Sequence, residues 1–315
     1  MTIITVTPNP AVDKVLRVPQ LRPDEATRAT VQALYGGGKG NNVARALVRL
    51  GAKVVATGFQ GGHTGALAME RLAAEGIQTE FVVCREDTRT SLLIYEEASG
   101  HTYAIYEPGH AVTPEEIEAL RDRVERLLPQ AALCLLCGSG QSDAVAALFA
   151  DIVARARARG VPCLLDSSGA ALRAGIEARP FLVKTNLAEL SDYVGYPLAE
   201  LSAQRQALME LHARGVAIAA LSRGPRGLLA TDGNTLWEGV LTMSRVVNVV
   251  GCGDSLLAGM AYALSQGADL PTAVRWGVAC GAANTQVVGA GFIERSEVEK
   301  LLPAVVLRPV DTGLG

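Results

Sequence analysis

Hydrophobic and polar positions alternate in blocks along this chain, with short apolar runs separated by longer stretches that are apolar at helical spacing. The short runs predict strands at residues 3–7, 54–59, 133–137, 163–165, 182–183 and 218–221. The longer stretches predict helices at residues 42–50, 66–74, 114–128, 143–159 and 202–214. Strands that alternate with helices indicate an α/β fold in which a mostly parallel central sheet is covered on both faces.

Two pairs of β segments interrupt this alternation in the first third of the chain. The first pair covers residues 12–18 and 29–34, and the second covers residues 90–96 and 101–106, joined by a turn at 98–100. Neither pair carries its own helix, so we expect both to join one small sheet over the mouth of the main sheet. This predicts a lid formed by residues 12–35 and 88–107, inserted within a single domain that spans residues 1–315.

Overall composition limits the classes of partner. The longest apolar run, residues 131–137, is far shorter than the ~18 residues of a membrane span. A net charge of −3 and an aromatic content of 4% provide no broad basic or stacking surface for nucleic acid. The first residues enter a strand pattern directly, without the basic and apolar regions of a signal peptide. We therefore expect a cytoplasmic protein with no membrane or nucleic-acid partner.

The six cysteines indicate reduced thiols, because a chain of 315 residues needs no disulfide scaffold. Cys134 and Cys137 form a C-x-x-C pair inside an apolar strand. No second cysteine or histidine pair follows at the spacing of a zinc site. We therefore expect both thiols to be core residues.

A glycine-rich turn at residues 251–254 carries the strongest chemical signal. It follows a predicted strand at 246–250 and precedes an apolar helix, so the N–H groups of Gly251, Cys252 and Gly253 would face any anion held above the turn. A carboxylate at such a site suits a general base that takes a proton from an attacking hydroxyl. The alternative is that Asp254 only caps the helix. The first alternative indicates phosphoryl transfer.

A second glycine cluster at residues 36–40 contains Lys39 and precedes a helix. It is not a P-loop, because Gly rather than Ser or Thr follows the lysine. It also lacks the dinucleotide-binding pattern after a first strand. Lys39 and Asn42 could donate to sugar hydroxyls or a phosphate. The alternative is a flexible hinge.

A third polar group follows the predicted strand at 182–183. Lys184 and Asn186 end this strand, and Glu189 follows on the first helical turn. An amide and a carboxylate suit Mg²⁺ held through waters and phosphates. The alternative is a helix cap with a solvated glutamate.

Several motifs occur together in the order typical of one kinase family. They include Thr7-Pro8-Asn9-Pro10-Ala11-Val12-Asp13, Glu97-Ala98-Ser99-Gly100 with Pro108-Gly109, Leu165-Asp166-Ser167-Ser168-Gly169 and Leu221-Ser222-Arg223-Gly224. With the three polar segments above, this set resembles the ribokinase-like carbohydrate kinases of the phosphofructokinase B family, from about residue 5 to residue 302. The resemblance is strongest to the hexose-phosphate branch, which contains 1-phosphofructokinase, tagatose-6-phosphate kinase and minor 6-phosphofructokinase.

The resemblance implies a three-layer α/β/α fold with a small β-sheet lid, and a role for each candidate residue. For the sugar it implies Asp13, Gly38, Asn42 and Ser139, with Arg28, Lys39 and Arg89 for a phosphate already on the sugar. For the nucleotide it implies Lys184, Asn186, Glu189, Ser222, Gly224 and Gly227, with Asn186 and Glu189 also organising Mg²⁺ through water. For the chemistry it implies Asp254 as the base, with the amides of Gly251, Cys252 and Gly253 as donors to the transferred phosphoryl group.

The implied reaction is transfer of the γ-phosphoryl group of ATP to a hydroxyl of a ketohexose phosphate, with Mg²⁺ as cofactor. The segments at 7–10 and 37–40 favour fructose 1-phosphate, while fructose 6-phosphate and tagatose 6-phosphate stay open. Two rival classes also stay open: a kinase of an unphosphorylated sugar or nucleoside, and a non-catalytic sugar-phosphate sensor. Because relatives often associate through their lids, we expect a homodimer formed by the lid.

Three positions depart from the family pattern. The segment at 138–143 keeps Ser139 but lacks the prolines common in relatives, so we expect the floor of the sugar site to differ. Thr185 replaces a proline, and Cys252 replaces an alanine. Because Cys252 stands beside a helix N-terminus, we expect its thiol to have a lowered pKa and to react with oxidants.

Overall fold

The structure is a computed structural model that describes residues 2–109, 111–140 and 142–310. Its strands are β1 (Thr2–Thr7), β2 (Ala11–Val18), β3 (Thr30–Gly37), β4 (Val54–Gly61), β5 (Gln78–Thr79), β6 (Val82–Cys84), β7 (Arg89–Glu96), β8 (Thr102–Tyr106), β9 (Ala131–Cys137), β10 (Cys163–Asp166), β11 (Leu182–Asn186), β12 (Ile218–Ser222), β13 (Leu228–Thr231), β14 (Leu236–Val240) and β15 (Val306–Val310). Its α-helices are α1 (Lys39–Arg49), α2 (Gly62–Ala74), α3 (Pro114–Leu127), α4 (Asp143–Ala158), α5 (Gly169–Glu177), α6 (Leu187–Val194), α7 (Leu201–Ala213), α8 (Cys252–Ser265), α9 (Leu270–Asn284) and α10 (Arg295–Leu301). Within these described ranges, no helix combines the length and apolar character that crossing a membrane requires.

The larger sheet has eleven strands in the order β15-β14-β13-β12-β11-β10-β9-β1-β4-β5, with β6 also paired to β4. Neighbouring strands from β12 to β5 are parallel. The strands β13, β14 and β15 add an antiparallel edge. All six strands predicted from the apolar runs are present in this sheet, and the prediction of a mostly parallel sheet is confirmed.

Helices cover both faces of the larger sheet. Successive side chains of a strand point to opposite faces, so Ile4 and Val6 enter one core while Ile3 enters the other. The first core is completed by buried side chains of α3, α4, α5 and α7, and the second by those of α1, α8 and α9. Cys134 and Cys137 are buried free thiols in these cores, as predicted. The fold is therefore a three-layer α/β/α arrangement.

The four remaining strands form a separate small sheet in the order β3-β2-β7-β8. β2 is antiparallel to β3 and parallel to β7, so the two predicted β pairs do combine into one sheet. Val15, Tyr35 and Leu93 on one face of it pack with Phe292 and Val250. The small sheet thereby contacts the loops that precede α8 and follow α9.

Several predicted boundaries differ from the structure, as at the starts of α1 and α2 and the ends of β3 and β11, and one predicted strand is absent. Helix α1 begins at Lys39 rather than at residue 42, because Gly38 adopts a φ of 100° and ends the extended segment. Residues 246–250 do not form a strand. There the Asn248 side chain accepts from the Val250 N–H and donates to its carbonyl, and such local bonds compete with sheet pairing. Val249 in this segment is 71% exposed.

Candidate active site

The polar residues singled out in the sequence converge at one edge of the larger sheet. β10, β11 and β12 end there at Asp166, Asn186 and Ser222, and helices α1 and α8 begin beside them. Parallel sheets bind ligands at this edge, because loops and helix N-termini meet outside the strand ends.

A buried cluster of lysines and carboxylates lies at the centre of this edge. Lys39 Nζ donates to Asp166 Oδ1 at 2.7 Å and to Glu189 Oε1 at 3.1 Å. Lys184 Nζ donates to Asp166 Oδ2 at 2.8 Å. Burial opposes ionisation of Asp166, but Lys184 and Lys39 hold its pKa below the usual value. Burial also opposes charge on Lys39, yet Asp166 and Glu189 hold the pKa of its ammonium well above the usual value.

Asp254 lies in the first turn of α8 and does not cap it. The N-cap residue is Gly251, and no side chain caps this helix. Asn42 Nδ2 donates to Asp254 Oδ2 at 2.8 Å. Burial, and secondly the charge of Asp166, raise the pKa of Asp254 above its usual value. The side chain also lines the adjacent cavity, so the capping alternative does not describe it.

Close neighbours explain both glycines of the α8 turn. Gly251 has a φ of 81°, and a Cβ there would lie 2.3 Å from the Ala290 Cβ. A Cβ on Gly253 would lie 3.0 Å from Lys184 Nζ. The Cys252 N–H is not free as predicted, because it donates to the Val249 carbonyl at 3.4 Å. The turn still places the N-terminus of α8 beside a lysine, which suits a phosphoryl group.

Cys252 corrects one expectation. Its thiol is not acidified by the helix N-terminus, because burial raises its pKa to about 11 and the Asp254 carboxylate adds to this effect. The Asn284 amide, 3.6 Å from Sγ, opposes the rise only in part. The prediction of a lowered thiol pKa at this position is therefore wrong.

A cavity of about 520 Å³ extends from this cluster. Ser222, Gly224 and Gly227 line one side of it. Gly227 allows no side chain, since a Cβ would lie 2.1 Å from the Gly239 carbonyl oxygen. The other side is mostly apolar, with Leu241, Met243, Val246, Val249, Leu256, Val278 and Ala282. A charged end and an apolar end in one cavity suit a nucleotide, with its phosphates at the lysines and its base between the apolar groups.

Asn186 and Glu189 form a capping box at the start of α6. The Glu189 N–H donates to Asn186 Oδ1 and the Asn186 N–H donates to Glu189 Oε2, both at 2.9 Å. The capping interpretation is thus confirmed, the pair also lines the cavity, and the magnesium interpretation stays a prediction. Within the described ranges, no group of three or more histidine, cysteine or acidic residues could by itself hold a metal. A few oxygens beside a phosphate pocket still fit Mg²⁺, which usually keeps several waters and binds through phosphates.

The small sheet brings Asp13 and Arg89 to the same region. Asp13 on β2 lies against Gly37, where a Cβ would come within 2.2 Å of a carboxylate oxygen. Burial raises the pKa of Asp13 to about 6, despite its bond to Ser91 and the nearby Arg45 and Arg89. Arg89 Nε donates to Asn9 Oδ1 at 3.0 Å.

Two predicted residues are not buried in this assembly. Arg28 is exposed in the loop between β2 and β3, and Ser139 is exposed after β9. Neither lines the cavity. Gly38 is the N-cap residue of α1, where a Cβ would lie 2.9 Å from Pro10 Cα, and its contact with the sugar stays a prediction. Gln141 of the divergent 138–143 segment lies outside the described residues.

Two residues of the site had no role assigned from the sequence. Asp166 accepts hydrogen bonds from both lysines. Its position at the end of a predicted parallel strand could have identified it from the sequence as a site residue. Asn284 accepts from Ser255 Oγ at 2.9 Å and donates to the Val250 carbonyl at 2.9 Å, which braces the α8 turn. An asparagine at the end of an apolar helix gives no such signal in the sequence.

Known proteins resemble the chain over most of its length. The family profile of pfkB family carbohydrate kinases matches residues 6–296. The chain is 33% identical to the 1-phosphofructokinase of Rhodobacter capsulatus over 276 residues, 87% of each protein. It is 32% identical to the ATP-dependent 6-phosphofructokinase isozyme 2 of Escherichia coli K12 over 301 residues, 95% of this chain and 97% of that one. The tetrameric inhibited form of phosphofructokinase-2 from Escherichia coli is similar in structure, with a TM-score of 0.88 at 31% identity over 96% of this chain and 98% of the other. The family resemblance is thus confirmed, and the chain belongs to the pfkB family of carbohydrate kinases, with the ribokinase-like fold.

Proposed function

We propose that this kinase transfers the γ-phosphoryl group of ATP to fructose 1-phosphate and forms fructose 1,6-bisphosphate. One observation carries the chemistry: the buried Asp254 carboxylate is held by Asn42 at a helix N-terminus, beside two lysines and a nucleotide-sized cavity. Relatives named 1-phosphofructokinase and 6-phosphofructokinase support a fructose phosphate as the substrate. A fructose-6-phosphate kinase is the second candidate, because that relative is as similar as the first.

The proposed chemistry needs one proton acceptor and several fixed donors. The sugar hydroxyl oxygen attacks the γ-phosphorus, the bond from that phosphorus to the bridging oxygen breaks, and ADP leaves with the electron pair. Asp254 takes the hydroxyl proton, which its raised pKa favours. The amides of Gly251 and Gly253 and the Lys184 ammonium stabilise negative charge on the phosphoryl group in transit.

The cavity supports the nucleotide assignment. Ser222, Gly224 and Gly227 would line the nucleotide. Lys39 and Lys184, which donate to Asp166 in this structure, would donate to phosphate oxygens instead. Glu189 and Asn186 would hold Mg²⁺ through water. Bound Mg²⁺ would neutralise part of the triphosphate charge.

The small sheet supports a sugar phosphate and a lid within one kinase domain. Asp13 supplies a buried acceptor for sugar hydroxyls, and the half-buried Arg89 supplies a cation near it. A charge-assisted bond of this kind contributes about 1.5 to 3 kcal/mol, which favours a phosphorylated sugar over a free one. Closure of the small sheet would exclude water and protect ATP from hydrolysis.

ADP release with Mg-ATP should be measured against fructose 1-phosphate, fructose 6-phosphate, tagatose 6-phosphate, fructose and ribose. We expect the largest kcat/KM with fructose 1-phosphate. Asp254→Asn should lower kcat by at least ~10² while sugar binding is retained. A larger kcat/KM with fructose 6-phosphate would select the second candidate, and wild-type turnover by Asp254→Asn would remove Asp254 from the mechanism.

A further inference from the structure

Arg45 of α1 is a buried cation outside the residues assigned above. Only 1% of it is exposed. An arginine side chain carries five N–H donors and stays charged, so burial leaves each donor in need of a partner. Nε donates to Glu75 Oε2, Nη2 donates to Glu75 Oε1 at 3.2 Å and to the Gly36 carbonyl at 2.7 Å, and Nη1 donates to Asn42 Oδ1 at 3.1 Å and to the Ala290 carbonyl at 3.0 Å. Every donor is therefore used.

The bond to Asn42 determines how that amide is oriented. Because a guanidinium only donates, the amide atom that faces Arg45 must be the oxygen. The NH₂ group of Asn42 then faces Asp254, where it donates to Oδ2 at 2.8 Å. One carboxylate oxygen of Asp254 is thereby held, and Oδ1 is left to accept the proton of the attacking hydroxyl.

The same guanidinium contacts the base of the small sheet and the loop after α9. Its carbon lies 4.8 Å from the Tyr35 ring centroid and 4.6 Å from that of Phe292, so the group packs against both rings, which meet edge to face with centroids 5.1 Å apart. The Ala290 N–H donates to the Tyr35 hydroxyl at 3.2 Å. Ala290 is also the residue that packs on Gly251 of the α8 turn. Arg45 therefore touches three parts of the site at once.

We propose that Arg45 is a positioning residue that fixes the Asn42 amide toward Asp254 and couples this orientation to the placement of strand β3 and the 288–292 loop. The proposal rests on the proposed function, since it requires Asp254 to be the base. The alternative role is packing alone, in which the pair with Glu75 joins α1 to the end of α2.

A double variant separates these two roles. Arg45→Met/Glu75→Leu removes both charges together, so that no unpaired carboxylate is left in the interior. We expect it to fold with a lowered Tm, because apolar groups replace the ion pair but the Gly36 and Ala290 carbonyls and Asn42 Oδ1 lose their donor. We expect kcat to fall about 10- to 100-fold, because the base loses its fixed partner, with KM for Mg-ATP within about 3-fold.

The pH dependence of kcat separates the two roles further, because a role in packing alone would leave it unchanged. Asn42 stabilises the ionised form of Asp254, so a loosened amide should shift the acid limb of kcat to higher pH. Asp254 also faces Asp166, Lys39 and Lys184, and the double variant leaves all three in place. The Arg45 charge also lowers the pKa of Asp13, so the limb is compared in an Asp13→Asn background, where its shift reports on the Asn42 amide.

Arg49→Met is the matched control. Arg49 lies one turn later on α1 and 5.1 Å from the same Phe292 ring, but it pairs with Glu294 and not with Asn42. We expect its kcat within about twofold of the wild type. Arg45→Lys serves as a second variant if the double variant does not fold. It keeps a positive charge beside Glu75 but lacks the planar guanidinium that reaches Asn42. It should show the same loss of kcat and the same shift of the acid limb.

Wild-type kcat with an unchanged acid limb in a folded Arg45 variant would overturn the proposal. An equal loss of kcat in Arg49→Met would also overturn it, since the effect would then come from helix packing. Wild-type turnover by Asp254→Asn is a separate result that overturns the proposed function itself.

Discussion

At the scale of single residues, the buried carboxylates of the site differ in how their charge is balanced. Asp166 is paired with two lysines, which hold its pKa below the usual value. Asp13 has no such pairing, and burial raises its pKa to about 6. Asp13 therefore changes charge within the range in which enzymes are commonly assayed.

We predict that kcat/KM for the sugar falls as the pH drops below about 6. A carboxyl with a raised pKa gains its proton as the pH falls through that value, and the protonated group loses an acceptor for sugar hydroxyls. The decline should approach tenfold per pH unit well below the pKa. Asp13→Asn is neutral at every pH, so it should have a lower kcat/KM and a weaker pH dependence. An acid limb that Asp13→Asn leaves unchanged would assign that limb to another group.

Site residues that lie in a recognisable local sequence pattern could be predicted from the sequence. Site residues whose role depends on contacts with distant parts of the chain could not. Asp254, Lys39 and Lys184 follow glycines or strand ends, and the structure brings them together. Arg45 looks like an ordinary polar position of an amphipathic helix. Its partner Ala290 lies 245 residues away, and the pattern around Arg45 contains no trace of that contact.

At the scale of elements, helix N-termini form much of the site. α1, α6 and α8 all begin at the same sheet edge, so their dipoles favour an anion there. The sequence predicted the helix after the 251–254 turn, because its apolar spacing is regular. It misplaced the start of α1, because glycine and asparagine within 40–42 are poor helix formers that tertiary contacts override.

We predict that Asn186→Ala lowers stability and weakens nucleotide binding together. Loss of the α6 cap should cost about 1 kcal/mol, and the freed Glu189 should raise KM for Mg-ATP. Thr113→Ala is the matched control, because Thr113 forms a capping box with Glu116 on α3, which does not border the cavity. It should lower Tm similarly and leave KM for Mg-ATP unchanged. Equal KM values in the two variants would contradict a nucleotide role for the α6 cap.

At the scale of the whole molecule, the small sheet exposes apolar side chains on an edge strand. All five residues of β8 are exposed, and Ile105 is 54% exposed. Unpaired edges of this kind are liable to associate. We therefore propose that two copies associate through the small sheet, as expected from the sequence.

We predict that the wild type has twice the chain mass by light scattering and that Ile105→Lys is a monomer. A lysine on the exposed strand would place a charge in the interface. Val306→Lys is the control. Val306 is 65% exposed on β15, which is an edge strand of the larger sheet and not part of the small sheet. A monomeric wild type would contradict the prediction, as would dissociation of Val306→Lys.

The contact between Arg45 and Ala290 also bears on how the protein is made. The guanidinium has its full set of partners only after residue 290 has been synthesised, and Asp254 has Asn42 only when residues 212 positions apart meet. Contacts this distant form late in folding. A nascent chain from which residue 290 has not yet emerged should therefore lack the assembled site and leave ATP intact.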